Sequence, residues 1–163
     1  MNNSIFLFVT LFGIGKLNKI PGSYASLATT IFLFFLFHFF DASPNNVLIF
    51  LFMVFFISLY AVNIFIKDLD NKDPKEVVID EFIGQSIPIC LYEIAHEGLR
   101  ETNQVLISYF IMFILFRIFD IIKPFPVSYY DKNFKNSFGV IMDDVCAGLY
   151  VVAVLVLYMV VTQ

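Results

Sequence analysis

Five apolar runs, at residues 24–40, 47–66, 77–95, 104–122 and 144–161, leave few folds open to this chain. About 20 helical residues cross the hydrocarbon core of a bilayer, and helices satisfy their own backbone hydrogen bonds in lipid. The runs therefore predict an all-α fold, a polytopic membrane bundle of about five long apolar helices, as a single domain over residues 1–163. Composition agrees: 60% of the residues are hydrophobic, against about 45–50% in soluble domains. A sixth apolar segment, residues 5–14, is too short to span, and is expected to lie at the interface or pack inside the bundle. No basic residue precedes it and no small-residue cleavage site follows, so a removable signal peptide is not expected.

Charge orders the connections. Placing the lysine-bearing ones in the cytoplasm puts nine of the ten Lys and Arg residues at or near that side, with Arg100 opposite. A net charge of −4 and the lack of a basic patch interleaved with aromatics set nucleic-acid binding aside. Cys90, Cys146, His38 and His96 have no metal-ligand spacing.

The polar residues collect on the lysine-rich side. In FRIFDIIKPFP, residues 116–126, Arg117, Asp120 and Lys123 recur at intervals of three and share a helix face, and Pro124 and Pro126 end the helix. Such charges either face a protein interior or cavity, or form a snorkelling pair that anchors the helix end. VVIDEFIGQSIP sets Asp80 and Glu81 one turn before Gly84, and GVIMDDVCAGLY sets Asp143 and Asp144 one turn before Gly148. Glycine at that offset lets a neighbouring helix come close and brings acids of separate helices together. Carboxylates sharing a small volume repel unless a cation lies between them. Oxygen-only donors suit Mg²⁺. The alternative is that each pair caps its own helix start, where the dipole favours negative charge. Residues 13–26, GIGKLNKIPGSYAS, offer Gly13, Gly15, Gly22, Ser23 and Ser26 as a backbone cradle for an anion, or as an ordinary turn and cap. They do not form a Walker motif, because Lys16 is followed by Leu17.

These motifs, with FGIGKLNKIPGSYASLA at 12–28, IDEFIG at 79–84 and GVIMDDVCAG at 139–148, appear in one order along nearly the whole chain. In that set the sequence resembles the phosphatidylglycerophosphatase A family of bacterial membrane enzymes. Asn18 stands where the family usually carries proline and Ala25 where it usually carries glycine, whereas the acidic motifs are intact. The resemblance implies Mg²⁺-dependent hydrolysis of phosphatidylglycerophosphate to phosphatidylglycerol at the cytoplasmic face of the bacterial inner membrane. Asp80, Glu81, Asp143 and Asp144 would hold Mg²⁺, and Arg117 and Lys123 would clamp the phosphate. Asp120 would complete the metal site, act as base or orient Arg117. Two rivals stand beside this reading: a phosphatase for another membrane phosphate, such as phosphatidic acid or a polyprenyl phosphate, and an ion-coupled transporter. The latter would need polar residues through the depth of the membrane, and residues 47–66 offer only Ser58, Tyr60 and Asn63.

Overall fold

The computed structural model describes residues 3–96 and 101–162, so Arg100 lies outside the described residues. Among the described residues all regular structure is helical: α1 (Asn3–Val9), a 3₁₀ turn (Ile14–Lys16), α2 (Pro21–His38), α3 (Pro44–Ile66), α4 (Ile79–His96), α5 (Thr102–Ile122), α6 (Val127–Asn133) and α7 (Ser137–Thr162). Proline opens α2 and α3, where its missing N–H leaves no helical bond unmade. After α1 the chain reverses through Gly13 at φ +99°, a left-handed backbone that glycine adopts without a Cβ penalty.

Among the described residues three helices are long and apolar enough to cross a bilayer: α3, α5 and α7 from Ser137 to Val161. The sequence reading of about five is more than these three show. At 18 residues each, α2 and α4 reach about 27 Å, but α2 opens on Gly22, Ser23 and Tyr24, and α4 carries Asp80, Glu81 and Glu93. A second correction concerns α7, which starts at Ser137 rather than residue 144. Asp143 and Asp144 therefore lie inside the helix, and helix-start capping does not account for them.

α4 is the hub. It packs on α2, α3, α5 and most extensively on α7, while α1 lies on α3 and α6 on α7. One apolar core joins Leu33, Ile89, Met112, Phe116 and Val151; the other joins Val9, Val62, Ile83 and Ile141. The large side chains Phe52, Ile107, Phe110 and Leu157 point outward and are exposed, as a lipid-facing surface requires. α1 keeps only Val9 buried.

Pro88 sits inside α4 and has no N–H for the carbonyl of Gly84. That carbonyl faces Gly148 of α7, where a Cβ would collide with it. In return, a Cβ on Gly84 would lie 2.5 Å from the Asp144 carbonyl oxygen and 2.7 Å from Phe116 Cε2. The two helices thus touch backbone to backbone.

Candidate functional site

This close crossing carries the acids. Asp80 and Glu81 occupy the first turn of α4, where the helix dipole favours them. Asp144 projects from α7 one turn before Gly148. One carboxylate oxygen from each of the three lies within 4.8 Å of the others. Asp80 and Asp144 are buried, and Glu81 Oε2 is buried with no hydrogen-bond partner. Three converging carboxylates, one oxygen of them unsatisfied, fit a hard cation such as Mg²⁺ in donor type and in charge.

Arg117 approaches the same point from α5. Its Nη1 lies 2.8 Å from Asp120 Oδ2 and 3.9 Å from Glu81 Oε1, and it donates to Ser26 Oγ at 3.3 Å. Its Nε is buried and unpartnered. The start of α2 closes this side: a Cβ on Gly22 would collide with the Glu81 carboxylate and come 3.3 Å from Arg117 Nη1. Ser26 donates to the Gly22 carbonyl at 2.9 Å, which ties its hydroxyl to the helix.

The remaining sequence-selected residues are distributed differently. Asp143 does not join the three acids; its Oδ2 accepts from Lys123 Nζ at 2.8 Å, and its Oδ1 accepts from the Asp144 N–H at 3.0 Å. Lys123 does not share the face of Arg117 and Asp120, because α5 ends at Ile122 and Lys123 caps it in a left-handed conformation. Its ammonium also donates to Asp131 Oδ1, at 2.7 Å. Burial opposes the charge on Lys123, but the hydrogen bonds to Asp131 and Asp143 outweigh it and hold its pKa above the ordinary lysine value. The same lysine bond holds the Asp131 carboxyl below its usual range. Of the glycine loop, Gly22 and Ser26 reach Arg117. Gly15 instead packs against the Glu76 backbone, Gly13 shapes the reversal after α1, and the Ser23 N–H bonds to the Ile20 carbonyl in the first turn of α2.

Two further polar groups lie outside the acid cluster. Lys72 and Asp73 line a small cleft with Asp131, Lys135 and Asp143. At the opposite end of the bundle, buried Glu93 accepts from Tyr109 at 2.8 Å and lies 3.4 Å from His38 Nε2. Charge is therefore not confined to one face. His38 and Glu93 lie near the ends of helices that start beside Arg117, α2 and α4.

A family model for phosphatidylglycerophosphatase A matches residues 7–159. A Haemophilus influenzae protein named phosphatidylglycerophosphatase A is 33% identical over 93% of this chain and 86% of its own length. An Escherichia coli K12 protein of the same name is 29% identical over 91% of this chain and 80% of its own. A Bacteroides thetaiotaomicron protein, named provisionally as a phosphatidylinositol-3-phosphatase, is 40% identical over 49% of this chain and 45% of its own. No solved structure matches. The motifs that cross at Gly84 and Gly148 lie within this match, and the chain belongs to the phosphatidylglycerophosphatase A family.

Proposed function

We propose that the chain is a Mg²⁺-dependent lipid phosphatase that converts phosphatidylglycerophosphate to phosphatidylglycerol and phosphate within phospholipid biosynthesis. The observation that carries the reading is the convergence of Asp80, Glu81 and Asp144 beside an arginine whose Nε is buried and unpartnered. Membership of the family supports the class of reaction, a phosphoric monoester hydrolysis. In this reading α2 and α4 cross or nearly cross the bilayer with α3, α5 and α7, the lysine-bearing connections face the cytoplasm, and the membrane is the bacterial inner membrane.

Asp80, Glu81 and Asp144 would hold Mg²⁺, which when bound supplies a Lewis acid for the phosphate oxygens and acidifies a bound water. The chain's own groups do the rest. Arg117 binds the phosphate oxygens and matches the charge that grows as the alcohol leaves. Asp120 holds the guanidinium, and Ser26 and Gly22 fix its height, the latter by leaving room for it. Lys123, anchored on Asp131, holds Asp143 and so the backbone that presents Asp144.

The test is phosphate release by the purified protein in detergent from phosphatidylglycerophosphate, phosphatidic acid and phosphatidylinositol 3-phosphate, each with Mg²⁺ and with EDTA. Release from the first lipid, lost in EDTA and restored by Mg²⁺, is expected. Preferred release from either of the others moves the substrate, and release that persists in EDTA removes the metal.

A further inference from the structure

Gln85 is fully buried in α4, yet neither its amide oxygen nor its amide nitrogen has a hydrogen-bond partner. An apolar side chain of similar size would avoid the cost of burying both atoms unbonded. Its place ties it to the acid cluster. Gln85 follows Glu81 by one helical turn and Ile89 follows Gln85 by another, so the three form one row on α4. Both ends of that row face α2 and α5: Glu81 meets Gly22 and Arg117, and Ile89 shares an apolar core with Leu33, Met112 and Phe116. The glutamine between them faces the same two helices, and a long helical side chain leans back towards the start of its helix, here towards Glu81. On α2, buried Ser26 and Thr29 lie between Gly22 and Leu33. Their hydroxyls donate to the Gly22 and Ala25 carbonyls at 2.9 and 2.8 Å, so neither has a proton left for the Gln85 oxygen.

Glu81 Oε2 and Arg117 Nε, likewise buried and unpartnered, have ligands in the phosphatase reading, the cation and the phosphate. Gln85 has none. With both ends of its amide unbonded, it calls for a group that donates and accepts together. An ionised phosphate oxygen only accepts, and a metal ion would take the amide oxygen alone. A hydroxyl does both. We propose that the Gln85 amide binds the free hydroxyl of the glycerol that carries the scissile phosphate, and so makes the site selective for a glycerol phosphate headgroup. The inference rests on the lipid phosphatase reading, which brings that glycerol to the acids. In the proposed topology Gln85 lies one turn, about 6 Å, further into the bilayer than Glu81. Nucleophile and leaving alcohol stand on opposite sides of the phosphorus. The leaving alcohol is the one joined to the lipid, so it occupies the bilayer side, where Gln85 stands. Phosphatidic acid has no free hydroxyl beside its phosphate and would leave the amide unpaired, which is how a buried polar group discriminates between substrates.

Gln85→Met nearly keeps the volume and removes the amide. Because no protein group bonds that amide, Tm in detergent should stay at or above the wild-type value. A fall would give the amide a structural role and overturn the proposal. Selectivity is read with phosphatidylglycerophosphate beside its analogue lacking the free headgroup hydroxyl. Wild type should favour the hydroxylated lipid in kcat/KM by about tenfold or more, and in Gln85→Met that ratio should fall to near one. An equal loss on both lipids, as from an amide that holds an attacking water or a cation, overturns the proposal. A ratio that the substitution leaves alone does so too. Binding supplies a readout that needs no turnover. With Mg²⁺ present, glycerol phosphate should raise the wild-type Tm more than propanediol phosphate, which lacks the middle hydroxyl, and the two should act alike on Gln85→Met. Equal shifts in wild type overturn the hydroxyl site. If wild type releases phosphate from no lipid while this difference in binding holds and is lost in Gln85→Met, the phosphatase reading falls and the hydroxyl site stands.

Discussion

Gly84 of α4 and Asp144 of α7 are pressed together so that a Cβ on the glycine would lie 2.5 Å from the Asp144 carbonyl oxygen. The aspartate that completes the acid cluster is thus set in height by a glycine on the opposing helix. Backbone cannot yield as a flexible side chain does, so Gly84→Ala must separate α4 from α7. Overpacking of this kind costs about 1–3 kcal/mol, and the acids separate with the helices. A lower Tm and a loss of phosphate release of about a hundredfold are expected. Unchanged activity would show that the crossing distance does not set the site.

The two adjacent aspartates of α7 should behave differently. Asp144→Asn removes the charge of one of the three converging carboxylates, and turnover should fall about a hundredfold or more while the protein stays folded in detergent. Asp143→Asn leaves Lys123 its bond to Asp131, so its effect should stay within about tenfold. Phosphate release measured across a Mg²⁺ titration checks both. Equal losses would place Asp143 in the cluster with Asp144.

Most of the helices were legible from apolar run length, and the acidic motifs from charge inside those runs. The start of α7 was not. An aspartate pair within an apolar run imitates a membrane boundary, and here it lies in a helix interior where the end of α5 supplies Lys123 and α4 the cluster partners. The division of labour between Asp143 and Asp144 follows from adjacent helical positions diverging by about 100°, but which of them turned to Lys123 depended on where α6 brought Asp131. The equal spacing of Arg117, Asp120 and Lys123 predicted one face. The left-handed cap at Lys123 broke that pattern, and a cap geometry is not encoded in spacing.

Arg117 should not tolerate lysine. Nη1 serves Asp120, Ser26 and the Glu81 edge together, and the unpartnered Nε adds a donor that an ammonium lacks. Arg117→Lys keeps the charge, yet kcat/KM should fall by more than about tenfold. A change below twofold would remove the guanidinium from the phosphate site. Asp120→Asn separates its possible roles: a residue that orients Arg117 shifts KM and leaves the pH profile in place, whereas a general base takes the acidic limb of the profile with it.

The bridge between Lys123 and Asp131 carries a pH signature of its own. The Asp131 carboxyl titrates below its unfolded value of about 3.9 because the lysine bond favours its charged form. A depressed carboxyl contributes stability above the unfolded pKa, and that contribution is lost as pH falls through the folded pKa. Lys123 is raised, so its share is complete at every pH below about 10.4 and drops out of the acid window. Wild type should therefore exceed Asp131→Asn in Tm by a constant margin from pH 8 to about 5. The margin should shrink below about pH 4 and vanish once Asp131 is protonated in both states. Melting curves of the two proteins in one detergent across that range measure it. A margin that persists at the acid end would mean that Asp131 acts through the packing of α6 on α7 rather than through its charge on Lys123.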